Sequence, residues 1–135
     1  MAVLQVFYPD DPDPGNTLGL DAKGDLAIRY EPRIPRVVEH HLLRVLKRAG
    51  LRSSPRLIRQ GRPGASVHYA GSLPMRERPE RKYETDRNGL LFGSRRVHVG
   101  DAACFPRLPA KNLTFTIMAN AMRIGEAVKR ELQAP

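Results

Sequence analysis

The chain has 135 residues, of which 41% are hydrophobic and 27% charged, so it can form one folded domain whose core needs no disulfide. Its single cysteine, Cys104, excludes an internal disulfide and a multi-cysteine metal site, and no apolar run is long enough to span a bilayer. Lys and Arg outnumber Asp and Glu by 23 to 14, but they are spread through every segment without interleaved aromatic residues, so we expect no nucleic-acid interface.

The first thirty residues predict strands. Val3–Tyr8 is β-branched and aromatic and stops at Pro9, which is typical of a strand. Two further strand-like runs, at 18–20 and 25–30, flank a short loop that contains Gly24. Because glycine readily adopts the positive φ that a tight loop needs, these two runs predict a β-hairpin.

A helix follows the predicted hairpin. Pro35 can open it, since the missing proline N–H would have no partner in a first helical turn. Apolar residues then recur at helical spacing as far as Ala49, and Gly50 follows as a C-terminal cap. His40 and His41 are adjacent on this helix and face different directions, so they do not predict a metal site.

The second half of the chain predicts short irregular pieces and then one long helix. Asp86–Gly89 has the composition of a turn, and strand-like pieces follow at 90–92 and 97–99. Asn112 or Thr114 can cap the final helix. Its single apolar stripe consists of Ile117, Ala121, Ile124, Val128 and Leu132. Strands together with two helices predict the α+β class.

His68 is the first residue that could carry chemistry. It lies in an uncharged run and is followed by the small residues of 70–72, which leave room for a flat ring or a substrate. The alternative is a core histidine whose ring nitrogens are satisfied by the backbone. His98 alternates with two valines, so we expect it on the wetter face of a strand, in a structural role.

The stretch 101–116 is the second candidate. A strand runs into Asp101, a proline-bracketed loop follows, and a helix starts near Asn112. A helix start presents N–H donors and a partial positive charge, which suit an anionic group; an ordinary strand, loop and well-capped helix is the alternative. We expect Cys104 to be a buried, inert thiol. The sequence has neither a Ser-His-Asp set nor a phosphate loop, so it does not predict a hydrolase or a nucleoside triphosphatase.

Together, these stretches resemble the C-terminal part of glucose-methanol-choline (GMC) flavin oxidoreductases. Residues 67–75, Val-His-Tyr-Ala-Gly-Ser-Leu-Pro-Met, are similar to that family's His-x-x-Gly-Thr/Ser-x-x-Met segment. Residues 99–106 resemble its strand-Asp-Gly/Ala-Ser-x-x-Pro element, and residues 109–119 its Pro-x-x-Asn/His-x-x-x-Thr-x-x-x-Ala pattern at the closing helix. The order and the gaps agree over residues 65–128, whereas the upstream strands and helix resemble the family's substrate domain less distinctively.

The resemblance implies an FAD-dependent enzyme that oxidises an alcohol, a CH–OH donor, by hydride transfer to flavin. His68 matches the position that accepts or hydrogen-bonds the hydroxyl proton, and Asn112 matches its catalytic partner. Asp101 and Ala102 would lie by the ribityl and pyrophosphate part of FAD. The cofactor contacts that the resemblance implies are those of Asp101, Ala102, Asn112, Leu113 and Thr114.

The resemblance also implies a division of the chain. Residues 1–64 would form part of the substrate-binding region, and residues 65–135 the C-terminal segment with the catalytic and flavin-ring contacts. The family's Gly-x-Gly-x-x-Gly fingerprint has no counterpart in this sequence, so we expect the N-terminal dinucleotide-binding half to be absent and the chain to be inactive alone. The implied partners are a small alcohol substrate and an N-terminal dinucleotide-binding chain.

Some expectations stay open at this point. Arg76, Ala103 and Arg107 stand where many members have Gly, Ser and Thr, so the substrate is not identified. The alternative function is a non-catalytic basic binding or remnant domain. A third possibility is a poorly folded piece that leaves the Ile117–Leu132 stripe exposed. The sequence has no signal peptide pattern at its start, so we expect a cytoplasmic location.

Overall fold

The computed structural model describes residues 3–31, 36–62 and 65–133. The chain forms two antiparallel strands, β1 and β2, and two helices, α1 and α2, so the predicted α+β class is confirmed. No helix in the described ranges is long and apolar enough to cross a membrane. The bounds of the four elements are Thr17–Leu20 for β1, Leu26–Arg29 for β2, Arg36–Arg48 for α1 and Thr114–Gln133 for α2.

The predicted hairpin is formed by β1 and β2. Leu18 pairs with Ile28 in an antiparallel register, and every residue of both strands is exposed. Gly24 in the connecting turn has a φ of 85°. The Asp21 carboxylate accepts the backbone N–H of Asp25 at 2.9 Å, so the turn is closed by its own side chain.

The strand predicted at Val3–Tyr8 does not form. This segment has no ladder, and the nearest pairing is an isolated bridge between Asp10 and Leu108, in which each backbone N–H donates to the other's carbonyl at 2.9 Å. A β-branched, aromatic run becomes a strand only when another strand lies beside it, and none does here within the described ranges.

Helix α1 ends as the sequence predicts. Gly50 has a φ of 78° and donates its N–H to Lys47 at 3.1 Å, while Leu51 donates to Leu46 at 2.9 Å. This pair of bonds satisfies carbonyls that the last helical turn leaves without partners. Pro35, predicted to open the helix, lies outside the described residues. No described side chain of α1 is buried.

The core lies in the second half of the chain. Thr85 and Cys104 are completely buried, and the apolar stripe of α2 packs here through Ile124, which is 4% exposed. The possibility that the whole Ile117–Leu132 stripe stays exposed is therefore wrong: Ile124 is buried and Ile117 and Val128 pack on the core, whereas Ala121 and Leu132 are exposed, Leu132 at 81%. The core cluster consists of Ala102, Cys104, Phe105, Leu113 and Ile124, with Ala70, Met75, Val99, Leu108, Ile117 and Val128 packed against it.

Irregular loops, rather than strands, provide the surface on which α2 packs. The predicted turn at Asp86–Gly89 is confirmed by a 3.0 Å bond from the Gly89 N–H to the Asp86 carbonyl. The strand-like pieces at 90–92 and 97–99 meet only at an isolated bridge between Leu90 and His98. The expectation that His98 lies on the more solvent-exposed face of a strand is wrong, since its side chain is only 14% exposed. Its imidazole packs towards α2, with Nε2 3.8 Å from a carboxylate oxygen of Glu131.

Candidate active site at the start of helix α2

Two separate segments line one open concavity of about 340 Å³. One wall is formed by residues 67–69, which include His68, and the other by the first residues of α2 and the turn before it. This volume lies at the lower end of the range for small-molecule sites in proteins. The lining residues are Val67, His68, Tyr69, Asn112, Leu113, Thr114 and Ile117.

Backbone hydrogen bonds hold the His68 segment in place. The chain just after it runs beside the short 3-10 turn at Ala102–Cys104. Three bonds join these segments: Gly71 N–H to the Ala102 carbonyl at 3.2 Å, Leu73 to Ala103 at 2.9 Å, and Met75 to Cys104 at 2.8 Å. Since Ala102 and Cys104 belong to the buried cluster, the core itself fixes one wall of the concavity.

The opposite wall is fixed by the cap of α2. The side-chain oxygen of Asn112 accepts the backbone N–H of Thr114 at 3.2 Å and its hydroxyl at 3.1 Å. Leu113 is 4% exposed and its carbonyl accepts the Ile117 N–H at 2.8 Å. Asn112 therefore caps the helix as predicted, and its amide N–H donors have no acceptor within the described ranges, so they remain for another partner.

The imidazole of His68 is half-buried, with the ring of Phe7 against it. The ring centroids are 4.8 Å apart and the planes are tilted by 49°. In the described part of the chain neither ring nitrogen has a hydrogen-bond partner; only the backbone N–H of His68 is bonded, to the Ser66 hydroxyl at 3.1 Å. The alternative of a core histidine satisfied by the backbone is therefore not what the structure shows.

Asp101 and Ala102 do not line this concavity. The Asp101 carboxylate caps the 3-10 turn, accepting the Ala103 N–H at 2.9 Å. Ala102 is 7% exposed, and its carbonyl accepts the N–H of Gly71. Both residues thus support the wall that carries His68, and their predicted contacts with a cofactor stay a prediction.

Cys104 is fully buried, in the same cluster as Leu113 of the concavity wall. Burial raises the pKa of its thiol, with a smaller opposing effect from the Asn120 amide, which donates to Sγ at 3.2 Å. The thiol also donates to the Asp101 carbonyl at 3.1 Å. A protonated, inaccessible thiol is unreactive, as the sequence predicts for this residue.

Sequence reasoning missed Phe7 altogether. Its position in the chain gave no signal, because a residue in an apparent strand is brought to His68 only by tertiary contacts that begin at Asp10 and Leu108. Within the described ranges, no group of three or more His, Cys, Asp and Glu residues is placed to hold a metal ion.

Comparison with known proteins identifies the family. The family model described as GMC oxidoreductase matches residues 37–121, from the start of α1 to the middle of α2, and this is more than half of the chain. The matched range contains both walls of the concavity, including His68 and Asn112, but it does not contain Phe7. No curated protein matches the chain. The chain thus belongs to the GMC oxidoreductase family and corresponds to the C-terminal portion of such a protein.

Proposed function

We propose that the chain provides the substrate-side and flavin-ring-side residues of an FAD-dependent oxidoreductase that acts on the CH–OH group of an alcohol. The observation that carries this proposal is that His68 and Asn112, which both lie within the family match, line one concavity although they are distant in the chain. An open, partly apolar concavity with two convergent polar groups is the ordinary form of a small-molecule site.

The lining of the concavity suits the ring end of FAD. Its walls include the apolar side chains of Val67 and Ile117, which suit a flat ring. The same first turn of α2 also offers donors, because the backbone N–H groups of Phe115 and Thr116 have no hydrogen-bond partner within the described ranges, as is usual in a first helical turn. When bound, FAD supplies the acceptor for the hydride that leaves the alcohol carbon.

His68 is the proposed proton acceptor. A neutral imidazole has one nitrogen that accepts a proton, and in the described chain no other group competes for either ring nitrogen. General-base assistance of this kind contributes about 10²–10⁴-fold to a rate. His68 is half-buried and lines the concavity, where a hydroxyl group of a substrate can reach it.

Asn112 is the proposed orienting group. Because its oxygen is engaged by Thr114, the amide N–H groups are its remaining polar atoms, and they can donate to the oxygen of the substrate. The cap also limits rotation of this side chain, so the donor is held in place before substrate binds. Asn112 adds no second titrating group to the site.

We propose that polypeptide beyond these residues completes the site with a dinucleotide-binding half. The chain exposes 11606 Å² of surface, against roughly 7,100 Å² for a compact monomer of its mass. Exposed apolar side chains lie on α2: Phe115 is 85% exposed, Met118 56% and Met122 73%. Such a surface is typical of an interface that another body of protein covers.

The test is reconstitution of a flavoprotein. The chain is mixed with the dinucleotide-binding half of a GMC enzyme and FAD, and bound flavin is measured by its visible absorbance, followed by bleaching on addition of an alcohol. His68→Ala should slow the bleaching by about 10²-fold or more. His41→Ala, an exposed histidine on α1, is the matched control and should leave the rate unchanged.

Bleaching at the parent rate in His68→Ala would contradict the proposed role of this residue. Failure to bind flavin with any such half, together with retention on heparin that only high salt reverses, would instead favour the non-catalytic basic binding domain.

A further inference from the structure

The proposed proton acceptor is packed against an aromatic ring that lies outside the family match. Phe7 is 39% exposed, in a segment whose start is far more open, with Val3 at 88%. Its ring meets that of His68 at a centroid distance of 4.8 Å, which is within the range of attractive aromatic contacts. Since no hydrogen bond restrains the imidazole within the described ranges, packing against Phe7 restricts its rotation.

The chain just after Phe7 is held by three sets of contacts. Asp10 exchanges two 2.9 Å backbone hydrogen bonds with Leu108, in the loop that leads to α2. Next to this bridge, the Arg107 guanidinium donates from Nε to the Asp11 carboxylate at 2.8 Å and also bonds through Nη2. Tyr30, just after β2, donates its hydroxyl to the Asp10 carboxylate at 2.9 Å.

This arrangement differs from the usual way of orienting a catalytic histidine. An imidazole is commonly fixed by a hydrogen bond from one ring nitrogen to a carbonyl or carboxylate, which occupies that nitrogen. An aromatic face holds the ring by packing instead and leaves both nitrogens of His68 for other partners. A general base must lie within hydrogen-bond reach of the proton that it accepts, so small displacements of the ring are costly.

We propose that Phe7 is the positioning residue for His68 and that the Asp11–Arg107 pair is the latch that keeps Phe7 in place. The catalytic role of the Phe7–His68 contact rests on the proposed function, in which His68 is the proton acceptor. It assigns a role to Arg107, which stands where many members of the family have Thr, and it links the start of the chain to the site at the start of α2.

The first test uses NMR spectra of the whole chain, without flavin. In Phe7→Leu the imidazole Hδ2 and Hε1 resonances of His68 should move towards their positions in an unstructured peptide, because the neighbouring ring current is lost. Phe7→Tyr keeps the ring and should keep the parent resonances. Phe92→Leu, which removes another partly exposed phenylalanine, is the control and should not move them.

The latch is tested in the same spectra. Arg107→Ala should shift the His68 resonances in the same direction as Phe7→Leu, by a smaller amount. The resonances of His98, whose side chain is only 14% exposed beneath α2, report in each variant whether the fold is intact. Unmoved His68 resonances in Phe7→Leu, with His98 intact, would overturn the proposal.

The second test uses the reconstituted flavoprotein. Phe7→Leu should lower kcat by about 10-fold with little change in KM, because the base is displaced while the substrate contacts remain. Phe7→Tyr keeps the aromatic ring and should retain the parent kcat. An unchanged kcat in Phe7→Leu overturns the positioning role, whereas an unchanged rate in His68→Ala overturns the proposed function, whatever the NMR spectra show.

Discussion

The first half of the molecule has regular secondary structure without buried side chains, and the second half contains the core. Residues 3–62 contain β1, β2 and α1, and none of their described side chains is buried. The second half has irregular loops before α2, and all eight residues that are buried in the described part of the chain belong to it, from Thr85 to Ala127. Local hydrogen bonds specify a hairpin or a helix, whereas a core requires segments that cover one another.

This contrast explains where the site lies. A concavity can hold its shape only where its walls are attached to packed side chains, and both walls are joined to the cluster around Cys104 and Leu113. The first half contributes to the site through Phe7, whose segment is joined to the second half by the Asp10–Leu108 bridge and the Asp11–Arg107 pair. Matched substitutions in the two halves can therefore test the comparison directly.

The largest effect is expected from a matched pair of isoleucines. Ile124→Ala removes a side chain that is 4% exposed and should lower the free energy of unfolding by about 2–5 kcal/mol. Ile28→Ala, on the exposed face of the hairpin at 67%, should change it by less than about 0.5 kcal/mol. Urea unfolding followed by circular dichroism measures both, and equal losses would contradict the assignment of the core to the second half.

A matched pair of glycines should give the next largest effect. Gly89 has a φ of 76°, and a Cβ there would lie 2.7 Å from the Val99 carbonyl oxygen and 2.8 Å from Ile124 Cδ1. Gly24 has a φ of 85° but open space around it. Both alanine variants carry backbone strain, so Gly89→Ala should cost about 1–3 kcal/mol more than Gly24→Ala because of overpacking. The same urea experiment checks this, and a larger loss at Gly24 would reverse the comparison.

The Cys104 thiol should resist modification and give stability a pH dependence. Burial raises its pKa above the ordinary value, so its contribution to stability is complete below the unfolded thiol's pKa and is lost as pH rises through the folded pKa. The stability of the parent should therefore fall more than that of Cys104→Ser between about pH 8 and pH 10.

Alkylation by iodoacetamide provides the second readout for this thiol. Cys104 should react only in urea, whereas Thr17→Cys in a Cys104→Ser background, on the exposed strand β1, should react at once. Rapid alkylation of native Cys104 would show that the core is open.

The smallest effect is expected from two glutamates. The pKa of Glu84 is lowered, first by the backbone N–H of Glu80 at 2.9 Å, and then by the Arg81 N–H and the Arg76 guanidinium. Its stabilisation is present above the unfolded pKa of about 4.3 and is lost as pH falls through the folded value.

The midpoint of thermal unfolding measures this effect. Glu84→Gln should melt below the parent at pH 7, and the difference should shrink towards pH 3. Glu31→Gln is the control in the first half, since Glu31 and Arg29 pair at 3.7 Å with side chains 76% and 72% exposed. A constant gap for Glu84→Gln across this pH range would disprove the role of the carboxylate.

Much of the local structure could be predicted from the sequence. The hairpin, the glycine end of α1, the turn at Asp86–Gly89 and the Asn112 cap of α2 all depend on residues within a few positions of each other. The family motifs around His68 and Asn112 were also visible. Turn and cap chemistry is local, so composition and spacing are enough to specify it.

The wrong predictions concern residues whose structure depends on segments distant in the chain. Val3–Tyr8 has strand composition but no neighbouring strand, and His98 has a strand-like alternation but lies under α2. The first prediction relied on strand composition and the second on a period of two, and neither pattern can say which segment covers a residue in the folded chain.

The sequence by itself determined the family, the two helices and the hairpin, because motifs and hydrogen bonds within a few residues specify them. The tertiary structure alone decided that His68 and Asn112 line one concavity and that Phe7 packs on the imidazole. It also decided that Asp101 supports the wall that carries His68. These contacts join segments far apart in the chain, which are brought together by the packing of α2 on the loops, by the Asp10–Leu108 bridge and by the Asp11–Arg107 pair.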